Sequence, residues 1–458
     1  MKCRNDKKIK SKKLFGTDGI RGKANYPPMT GEIAFKVGRA AAYVLKQKHG
    51  RDMILIGKDT RLSGYMLESA LTSGICSMGV NVVLVGPMPT PGIAFVTRSL
   101  RVDAGIVISA SHNSYDDNGI KFFSSDGFKL PDSVEKEIEE AVFLNTLEDI
   151  RPTGAGIGKA HRVEDAAGRY IEYVKASFPK GKTLEGVKIV VDCANGSTYK
   201  ITPPVLRELG AQVIAINDKP DGLNINAGCG STHPKAMQKA VLENNADIGI
   251  AHDGDGDRVI FCDEKGELVD GDKIMGICAV DMKREGRLGG NTVVATVMSN
   301  LGFEKFLNKK GIGLIRTAVG DRYVVEAMLK GGYNLGGEQS GHIVFMDYNT
   351  TGDGAITALQ VLAIMCKSGK TFSKLASAIP IYPQILINVP VTKPGKIEDF
   401  PKVVTAIKKA EKQLAGGRIL VRPSGTEPKI RIMAEGDDMK EITDVVEALA
   451  EVIKANMA

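Results

Sequence analysis

Short apolar runs alternate with segments of helical periodicity along most of this chain. Apolar runs bounded by turn residues predict buried strands, and apolar positions three and four residues apart predict amphipathic helices. The predicted strands are residues 53–57, 81–85, 104–109, 187–192, 212–216, 247–251 and 292–297. The predicted helices between them include residues 31–47, 202–209 and 235–244. This alternation of strands and helices predicts an α/β architecture.

A short internal repeat indicates that the α/β units are related. The pattern Asp-x-Gly-Ile occurs at residues 103–106 and again at residues 247–250. Ser111 and Asp255 each lie eight residues after the aspartate, in a loop of small and polar residues. A third polar loop, residues 336–342, follows another helical stretch. Loops at the carboxyl ends of strands line crevices, so we expect these three loops to meet in one cleft.

The C-terminal part of the chain has a different pattern. Strand-like residues 385–391, 419–421 and 430–434 flank helical residues 397–414 and 439–457, which predicts a small α+β domain. Pro380 and Pro383 mark a linker before it. The predicted divisions are a disordered basic extension at 1–13 and domains at 14–163, 164–263, 264–376 and 377–458.

Size and charge restrict the class of protein. A chain of 458 residues is too long for one ordinary core, and 43% hydrophobic and 25% charged residues are typical of a globular protein. Of the net charge of +7, residues 1–13 carry +6, so the rest of the chain is almost neutral. That distribution, with no tryptophan, argues against nucleic-acid binding. No apolar run approaches the length of about 18 residues that indicates a membrane span.

The cysteines indicate the compartment. Seven cysteines are scattered without a Cys-x-x-Cys pair, which favours reduced thiols in the cytoplasm over disulfides or a zinc site. Cys193 and Cys262 lie in or beside apolar runs, and we expect them to be small core residues.

Three carboxylates alternate with glycines directly after the predicted strand at 247–251. In the hexapeptide Asp253-Gly254-Asp255-Gly256-Asp257-Arg258 the glycines let the backbone curl, so that three carboxylates can converge on one hard cation. A solvated acidic turn is the simple alternative. A helix–loop–helix calcium loop is a second, but its sixth position needs glycine and Arg258 stands there. The run that follows Arg258 is strand-like, so Mg²⁺ in an enzyme cleft is the preferred interpretation.

Three further loops carry chemistry. Ser111 lies in Ser-Ala-Ser-His-Asn after a predicted strand, and no Gly-x-Ser-x-Gly motif is present, so phosphoryl transfer near a metal fits better than hydrolysis. Arg422-Pro-Ser-Gly-Thr-Glu-Pro offers amides, hydroxyls and a guanidinium to an anion. Gly337-Glu-Gln-Ser-Gly-His suits sugar hydroxyls. Each loop has a plain turn as its alternative. Neither a nucleotide P-loop nor a dinucleotide-binding fingerprint occurs.

These loops occur together in the order and spacing of one family. With the opening motif Phe15-Gly-Thr-Asp-Gly-Ile-Arg-Gly, they make the chain from residue 14 onward resemble the α-D-phosphohexomutases. Residues 320–323 and 348–354 resemble the corresponding segments of the family branch that acts on glucosamine phosphate. The resemblance implies four domains around a central cleft: three related α/β domains with mixed sheets and a C-terminal α+β domain. It also implies interconversion of glucosamine 6-phosphate and glucosamine 1-phosphate through a phosphoserine and a sugar bisphosphate.

The resemblance assigns roles to individual residues. Phosphorylated Ser111, Asp253, Asp255 and Asp257 would bind one Mg²⁺ per chain. Lys121 is the first candidate for acid/base chemistry, because it matches the Asn-Gly-x-Lys pattern of the family, and His342 is the second. Arg21 and Arg258 would stabilise the transferring phosphoryl group, and His112 would orient the serine loop. The expected substrate-binding residues are Asp321, Arg322, Glu338, Ser340, Arg422, Ser424, Gly425, Thr426 and Arg431.

One departure and several alternatives remain. The family usually has proline where this chain has Ser114, which leaves the stiffness of the serine loop in question. The substrate could be mannose phosphate or glucose phosphate, as in sister mutases, or the chain could bind a phosphosugar or calcium without turnover. A sugar bisphosphate is the expected activator and intermediate. A monomer and a homodimer are both compatible with the sequence.

Overall fold

The computed structural model describes residues 14–457 except 17, 51, 144–146, 148, 393–396, 415 and 424–427. Among these residues the strands form four sheets, taken below as units 1 to 4. The predicted basic extension at 1–13 and the predicted binding residues Ser424, Gly425 and Thr426 lie outside the described residues.

Unit 1 is a mixed sheet between helices. Its strands run in the order β1-β5-β4-β2-β3-β6, and β2, β3, β4 and β6 are parallel whereas β1 and β5 are antiparallel to their neighbours. Its elements are β1 (Ile20–Lys23), α1 (Gly31–His49), β2 (Met53–Lys58), α2 (Ser63–Cys76), β3 (Asn81–Pro87), α3 (Thr90–Ser99), β4 (Ala104–Ile108), β5 (Asp117–Ser124), α4 (Asp132–Phe143) and β6 (Ala160–Arg162).

Unit 2 repeats this plan on a smaller scale. Its order is β11-β10-β9-β7-β8, with β8, β7 and β9 parallel and β10 antiparallel to β9. Its elements are α5 (Ala166–Ala176), β7 (Lys188–Asp192), α6 (Thr202–Glu208), β8 (Gln212–Ile216), α7 (Lys235–Asn244), β9 (Ile248–His252), β10 (Val259–Asp263) and β11 (Leu268–Val269). Because β11 belongs to this sheet, we propose that the second domain continues to Val269 rather than ending at residue 263.

Unit 3 has the order β13-β12-β14-β15, with only β15 antiparallel among its described strands. Its elements are α8 (Gly271–Arg284), β12 (Thr292–Thr296), α9 (Leu301–Lys309), β13 (Gly313–Thr317), α10 (Asp321–Gly331), β14 (Leu335–Gly337), β15 (Ile343–Phe345), α11 (Gly354–Ser368) and α12 (Phe372–Ala376). The predicted polar loop at 336–342 is shorter than expected, because Gly336 and Gly337 form ladder pairs in β14.

Unit 4 is an antiparallel sheet, β16-β18-β17, covered by two helices. Its elements are β16 (Gln384–Pro390), α13 (Pro401–Gln413), β17 (Arg418–Pro423), β18 (Lys429–Glu435) and α14 (Met439–Met457). The helix predicted from residue 397 starts as a short 3-10 turn at Ile397–Asp399, and the α-helix itself begins at Pro401. Proline disfavours the helical conformation of the residue before it and fits the first helical position.

The internal repeat corresponds to equivalent strands. Residues 103–106 open β4 and residues 247–250 open β9, and each of these strands turns back into an antiparallel partner, β5 or β10. The pair β14 and β15 has the same form in unit 3. The serine loop (residues 109–116), the aspartate loop (residues 253–258) and the sugar loop (residues 338–342) therefore occupy equivalent positions in three related units. The predicted fold class, three related α/β units with mixed sheets and a C-terminal α+β unit, is confirmed.

Units 2 and 3 share one hydrophobic core. It runs from the helices and strands of unit 2 through α8 and α11 into unit 3. Residues 354–364 of α11 are all buried, as expected for a helix that is apolar on every side. Separate cores cover the two faces of the unit 1 sheet and fill unit 4.

Helix length and cysteine pairing are the remaining features of the described residues. None of their helices has the length and apolar character needed to cross a membrane. The six cysteines among them are unpaired, and Cys193 and Cys262 are buried in hydrophobic clusters.

Candidate active site

Ser111 stands at the first turn after β4. Its backbone φ is +52°, in the left-handed region, and its amide donates to Ser109 Oγ at 2.9 Å. Its side chain is nearly inaccessible, with 1% of the residue exposed. Ser111 Oγ donates to Asp253 Oδ2 at 2.6 Å and lies 3.4 Å from His112 Nδ1. The turn therefore directs one hydroxyl at the aspartate loop of unit 2.

Asp253, Asp255 and Asp257 form a compact buried triad. Oxygens from the three side chains lie within 4.8 Å of one another. Gly256, with φ of +69°, provides the curl that brings them together. Among the described atoms, Asp255 Oδ1 and Asp257 Oδ1 are buried without a hydrogen-bond partner. Unsatisfied carboxylate oxygens at this separation are suitable ligands for a hard divalent cation.

The environment of the triad differs from one carboxyl to the next. Burial, followed by the charges of Asp257 and Asp255, raises the pKa of Asp253 well above its ordinary value. Burial also acts to raise the pKa of Asp255, but the Lys121 charge and the Thr90 hydrogen bond outweigh it and the pKa is lowered. The Thr90 hydroxyl donates to Asp255 Oδ2 at 2.8 Å, and the Thr90 amide donates to the backbone carbonyl of Asp255 at 2.9 Å.

Lys121 is a buried cation beside the triad. It projects from β5, and its Nζ lies 3.1 Å from Asp255 Oδ2, 3.9 Å from Asp257 Oδ2 and 3.5 Å from Asp18 Oδ2. Burial acts to lower its pKa, but these three carboxylates outweigh burial and raise it. The charged ammonium is therefore the stable form, which suits hydrogen-bond donation and charge stabilisation better than proton transfer.

Two arginines complete the cationic surroundings. Arg21 on β1 pairs with Asp18 and donates to the carbonyl of Ala110, next to the serine. The Arg258 amide donates to Asp253 at 3.2 Å, and its side chain borders the cleft 3.9 Å from Asp257. Both expected phosphoryl-stabilising arginines thus lie at the site.

A line of charges connects units 1 and 3. Lys129 Nζ lies 2.5 Å from Asp18 and 2.6 Å from Asp321. His342 lies between the carboxylates of Asp321 and Asp257, at 3.6 Å from each. These contacts place the sugar loop of unit 3 beside the metal triad of unit 2.

The protonation state of His342 follows from its hydrogen bonds. Burial acts to lower its pKa, whereas Asp257 and Asp321 raise it, with a net raised value. The Gly352 amide, however, donates to His342 Nε2 at 3.0 Å and requires a lone pair there. We assign the neutral ring with its proton on Nδ1. The hydrogen bond from Gly352 requires an unprotonated Nε2, and this direct contact outweighs the effect of the surrounding charges. In this arrangement His342 is a positioning group.

Of the other predicted residues of unit 3, Asp321, Arg322 and Glu338 line the same cleft, and Ser340 lies beside Glu338. Glu338 accepts the Gly320 amide at 3.1 Å, and the Ser340 hydroxyl lies 3.4 Å from it. Arg322 pairs with Asp132 and Glu135 at the start of α4, so it bridges units 1 and 3 at the cleft edge. The cleft has a volume of about 680 Å³, and its lining includes Ser111, Asp257, Arg258, Asp321, Arg322, Glu338 and His342.

Two arginines of unit 4 form a second positive centre. Arg422 on β17 and Arg431 on β18 are paired directly opposite each other. Residues so paired present their side chains on one face, where like charges repel unless an anion lies between them. Burial, followed by the Arg431 charge, lowers the pKa of Arg422. Arg422 also approaches Met298 of unit 3, so this centre faces the unit that carries the sugar loop.

Comparison with known proteins identifies the family. Sequence models described as phosphoglucomutase/phosphomannomutase alpha/beta/alpha domains I, II and III match residues 12–149, 168–266 and 270–382, and the C-terminal domain of that family matches residues 386–452. The chain belongs to the phosphoglucomutase/phosphomannomutase family.

Curated members of this family resemble the chain over nearly its whole length. The phosphoglucosamine mutase of Syntrophotalea carbinolica is 58% identical over 97% of this chain and 98% of its own. The phosphoglucosamine mutase of Geobacter metallireducens is 59% identical with the same coverage.

Solved structures of phosphoglucomutase/phosphomannomutase proteins share the fold. A family protein from Burkholderia thailandensis superposes with a TM-score of 0.80 at 24% identity, over 96% of this chain and 97% of that one. The Aspergillus fumigatus N-acetylphosphoglucosamine mutase, in complex with GlcNAc-6P and magnesium, superposes with a TM-score of 0.69 at 19% identity, over 97% and 96%.

Sequence reasoning missed several residues of this phosphoglucomutase/phosphomannomutase site. Arg61 and Thr90 follow β2 and β3 as Ser111 follows β4, so their position after predicted strands was an available signal. Asp18 lies within the opening motif, but the motif by itself indicates no role for it. For Lys129 and Asn226 no local signal exists, because their contacts are with residues far away along the chain.

Proposed function

We propose that the protein interconverts glucosamine 6-phosphate and glucosamine 1-phosphate by passing a phosphoryl group through Ser111. One observation carries the proposal: Ser111 Oγ lies 2.6 Å from Asp253, in a buried site shared with Asp255 and Asp257. A hydroxyl so placed can hold a phosphoryl group next to a divalent cation.

Each transfer is balanced within the site. A P–O bond to Ser111 breaks while a P–O bond to the free sugar hydroxyl forms, and the proton of that hydroxyl is passed to the serine oxygen. Donation in the opposite sense restores phosphoserine from the other phosphate of the sugar bisphosphate. No further reactant is required.

The proton has two candidate carriers in this chain. His112 Nδ1 lies 3.4 Å from Ser111 Oγ, and burial, followed by the charges of Arg258 and Arg21, lowers its pKa. We assign the neutral ring of His112 to proton exchange with the serine oxygen. Lys121 is the second candidate, but its raised pKa makes its ammonium a weak acid and a permanent cation, so its main role is to stabilise phosphoryl charge.

The residues of the triad fit one divalent cation. Asp253, Asp255 and Asp257, with an oxygen on Ser111, would supply hard oxygen ligands, as Mg²⁺ prefers. When bound, Mg²⁺ would offset the negative charge of the transferring phosphoryl group. Arg21 and Arg258 act on the same charge from the protein side.

The distal phosphate belongs with unit 4. The opposed guanidinium groups of Arg422 and Arg431 are stabilised when a phosphate lies between them. With one phosphoryl donor and one distal clamp, the bisphosphate must reverse its orientation in the cleft between the two transfers. Glu338 and Ser340 line its path and bind sugar hydroxyls in both orientations.

The relatives support the amino-sugar substrate. Those of highest identity given above are phosphoglucosamine mutases, and their similarity extends over all four units. The unpaired cysteines of the described residues support a cytoplasmic enzyme. The proposal also includes one Mg²⁺ per chain and a monomeric or homodimeric protein.

A direct assay tests this function. Purified protein is incubated with Mg²⁺ and glucosamine 6-phosphate, with and without a trace of sugar bisphosphate, and glucosamine 1-phosphate is followed by ³¹P NMR. Glucose 6-phosphate and mannose 6-phosphate are compared in parallel, and intact mass with peptide mapping reports phosphate on Ser111. We expect the bisphosphate to raise the rate and glucosamine phosphate to give the highest kcat/KM. Absence of turnover with all three sugars would refute the proposal, and preference for another hexose would assign the chain to a sister activity.

A further inference from the structure

A buried guanidinium holds the backbone of the serine loop from behind. Arg61, which follows β2, is fully buried and pairs with Asp59. It donates from Nη2 to the carbonyls of Ser111, at 3.2 Å, and Asn113, at 2.5 Å, and its Nε lies 3.4 Å from the carbonyl of Ser114. Arg61 is not among the residues that line the cleft. It therefore acts on the loop and not on the substrate.

A second donor from unit 2 binds the same loop. Asn226 Nδ2 donates to the carbonyl of Ser111 at 2.9 Å and to that of Asn113 at 3.0 Å. The two carbonyls are thus shared by Arg61 of unit 1 and Asn226 of unit 2. The aspartate loop packs against these two groups as well. A Cβ added at Gly254 would lie 2.8 Å from the Ser111 carbonyl oxygen and 2.7 Å from Asn226 Nδ2.

The loop needs such support. Ser111 adopts a left-handed conformation, φ +52°, which a serine does not favour and which persists only where the surroundings define it. Ser114 occupies the position at which the family usually has proline, so the loop lacks that ring as a constraint. Its definition comes instead from the donors on its carbonyl oxygens.

We propose that Arg61 and Asn226 are positioning residues that fix Ser111 Oγ against the aspartate triad. This inference rests on the proposed function and deepens it. Arg61 supplies a planar fork that reaches several carbonyl oxygens together, which an ammonium cannot reproduce. Asn226 ties the loop to unit 2, where the triad lies. Loss of either donor shifts the hydroxyl relative to the reacting phosphorus without changing the groups that bind the sugar.

The test compares four variants in the full-length protein with Mg²⁺. Arg61→Lys and Arg61→Met remove part or all of the guanidinium contacts, and Asn226→Ala removes the second donor without leaving a buried charge unpaired. Arg39→Lys is the matched control. Arg39 is another buried arginine of unit 1 that donates to a carbonyl, that of Leu147, which follows α4 and is not part of the serine loop.

The expected result separates kcat from KM. A displacement of about 1 Å at a reacting atom lowers the rate by about 100-fold. We expect kcat to fall about 10-fold in Asn226→Ala and Arg61→Lys and about 100-fold in Arg61→Met, with KM for glucosamine 6-phosphate within about threefold of wild type. Arg39→Lys should keep wild-type kcat even if its melting temperature falls.

A second measurement does not depend on activity. Hydrogen exchange of a peptide covering residues 108–116 should accelerate in Arg61→Met and Asn226→Ala and stay at the wild-type rate in Arg39→Lys. Wild-type kcat or unchanged exchange in a folded Asn226→Ala protein would overturn the inference. If Arg61→Met does not fold, Asn226→Ala and Arg61→Lys decide the question. An inactive wild-type protein would refute the proposed function, and the exchange data would still judge the loop.

Discussion

Ser111 combines a strained backbone with a buried, hydrogen-bonded hydroxyl. Its φ of +52° and its 2.6 Å contact with Asp253 are explained together, because only that turn directs Oγ at the triad. A residue in such a conformation is maintained where function requires it. The proposed chemistry therefore rests on the hydroxyl of Ser111, which the turn directs at Asp253.

Ser111→Ala should abolish turnover and leave the fold intact. The variant retains the backbone bonds to Arg61 and Asn226 but has no atom to carry the phosphoryl group. We expect kcat to fall on the order of 10⁴-fold or more, with an unchanged melting temperature and no phosphate in the intact mass. Ser69→Ala, at an exposed position of α2 in the same unit, is the control and should behave as wild type. Turnover near the wild-type rate in Ser111→Ala would show that the phosphoryl group passes elsewhere.

At the scale of elements, the site is built from turns that follow β4, β9 and β14. The regular spacing of apolar runs predicted the parallel strands β2, β3, β4, β7, β8, β9 and β12. It did not predict β1 and β5, which carry Arg21 and Lys121, or β14 and β15, which flank the sugar loop. Asp103 and Asp247 of the internal repeat each lie one residue before equivalent strands. Motifs predicted Ser111 and the aspartate triad because three carboxylates alternating with glycines suit a hard cation, and because both loops stand in the order and spacing of one family. Arg61 and Asn226 could not be found in this way, since their role depends on carbonyl oxygens about which a sequence pattern contains no information.

Gly254 is an element-scale requirement, because the aspartate loop and the serine loop touch there. An added Cβ would lie 2.7 Å from Asn226 Nδ2 and 2.8 Å from the Ser111 carbonyl oxygen. Gly254→Ala should therefore separate the loops, lowering kcat by about 10- to 100-fold and the free energy of unfolding by about 1–3 kcal/mol.

The matched control for this variant is Gly168→Ala in α5. Nothing lies within 4 Å of a Cβ at Gly168, so alanine should stabilise the helix by about 0.5–1 kcal/mol and leave kcat unchanged. Steady-state kinetics and urea unfolding of both variants make the comparison. A Gly254→Ala enzyme with wild-type kcat would mean that the two loops tolerate separation.

Asp272 should make the stability of unit 3 depend on pH. It lies in the first turn of α8, and its Oδ2 accepts the amide of Asn300, which caps α9, at 2.7 Å. Burial, followed by the charge of Asp270, raises the pKa of Asp272 to about 7. The folded chain thus holds this proton more tightly than the unfolded chain, so its contribution to stability is complete below about pH 4 and is lost as pH rises from there through 7.

Asp272→Asn removes this dependence and retains an acceptor for the Asn300 amide. The variant should unfold with nearly the wild-type free energy near pH 4, the unfolded pKa of an aspartate, and become the more stable of the two as pH rises. The difference should grow by up to about 1.4 kcal/mol per pH unit between about pH 4 and 7, where only the unfolded carboxyl is ionised, and level off above pH 7. Urea unfolding at pH 4, 5, 6, 7 and 8 measures it. A difference that stays constant over this range would place the pKa of Asp272 elsewhere.

On the scale of the whole molecule, unit 4 is tied to the site through unit 3. Arg418 pairs with the buried Glu435 and donates to the carbonyls of Val297 and Ser299, at 2.9 Å each. Asn300 reaches Glu435 at 3.3 Å. These bonds attach unit 4 to unit 3 near the carboxyl end of β12. The sheet pairing places Arg422 and Arg431 opposite each other, whereas no pattern in the sequence determines how this face is oriented toward Ser111.

Arg422→Ala should weaken the hold on the distal phosphate without touching the phosphoryl donor. A charge-assisted hydrogen bond contributes about 1.5–3 kcal/mol, so KM for glucosamine 6-phosphate should rise about 10- to 100-fold. The bisphosphate must stay bound while it reverses, and the variant should release it more often. Its rate should then depend more steeply on added sugar bisphosphate than that of the wild type.

Two experiments and a control separate this effect from a general loss of affinity. Steady-state kinetics give KM, and a single turnover of the Ser111-phosphorylated enzyme measures the fraction of bisphosphate that escapes into solution. Lys409→Ala, at an exposed position of α13 in the same unit, removes one positive charge away from the Arg422–Arg431 face and should match the wild type in both. Because the groups that act on the transferring phosphoryl group lie in units 1 and 2, the rate of the first transfer at saturating substrate should survive in Arg422→Ala. Unaltered KM and unaltered bisphosphate release would remove unit 4 from the binding of the distal phosphate.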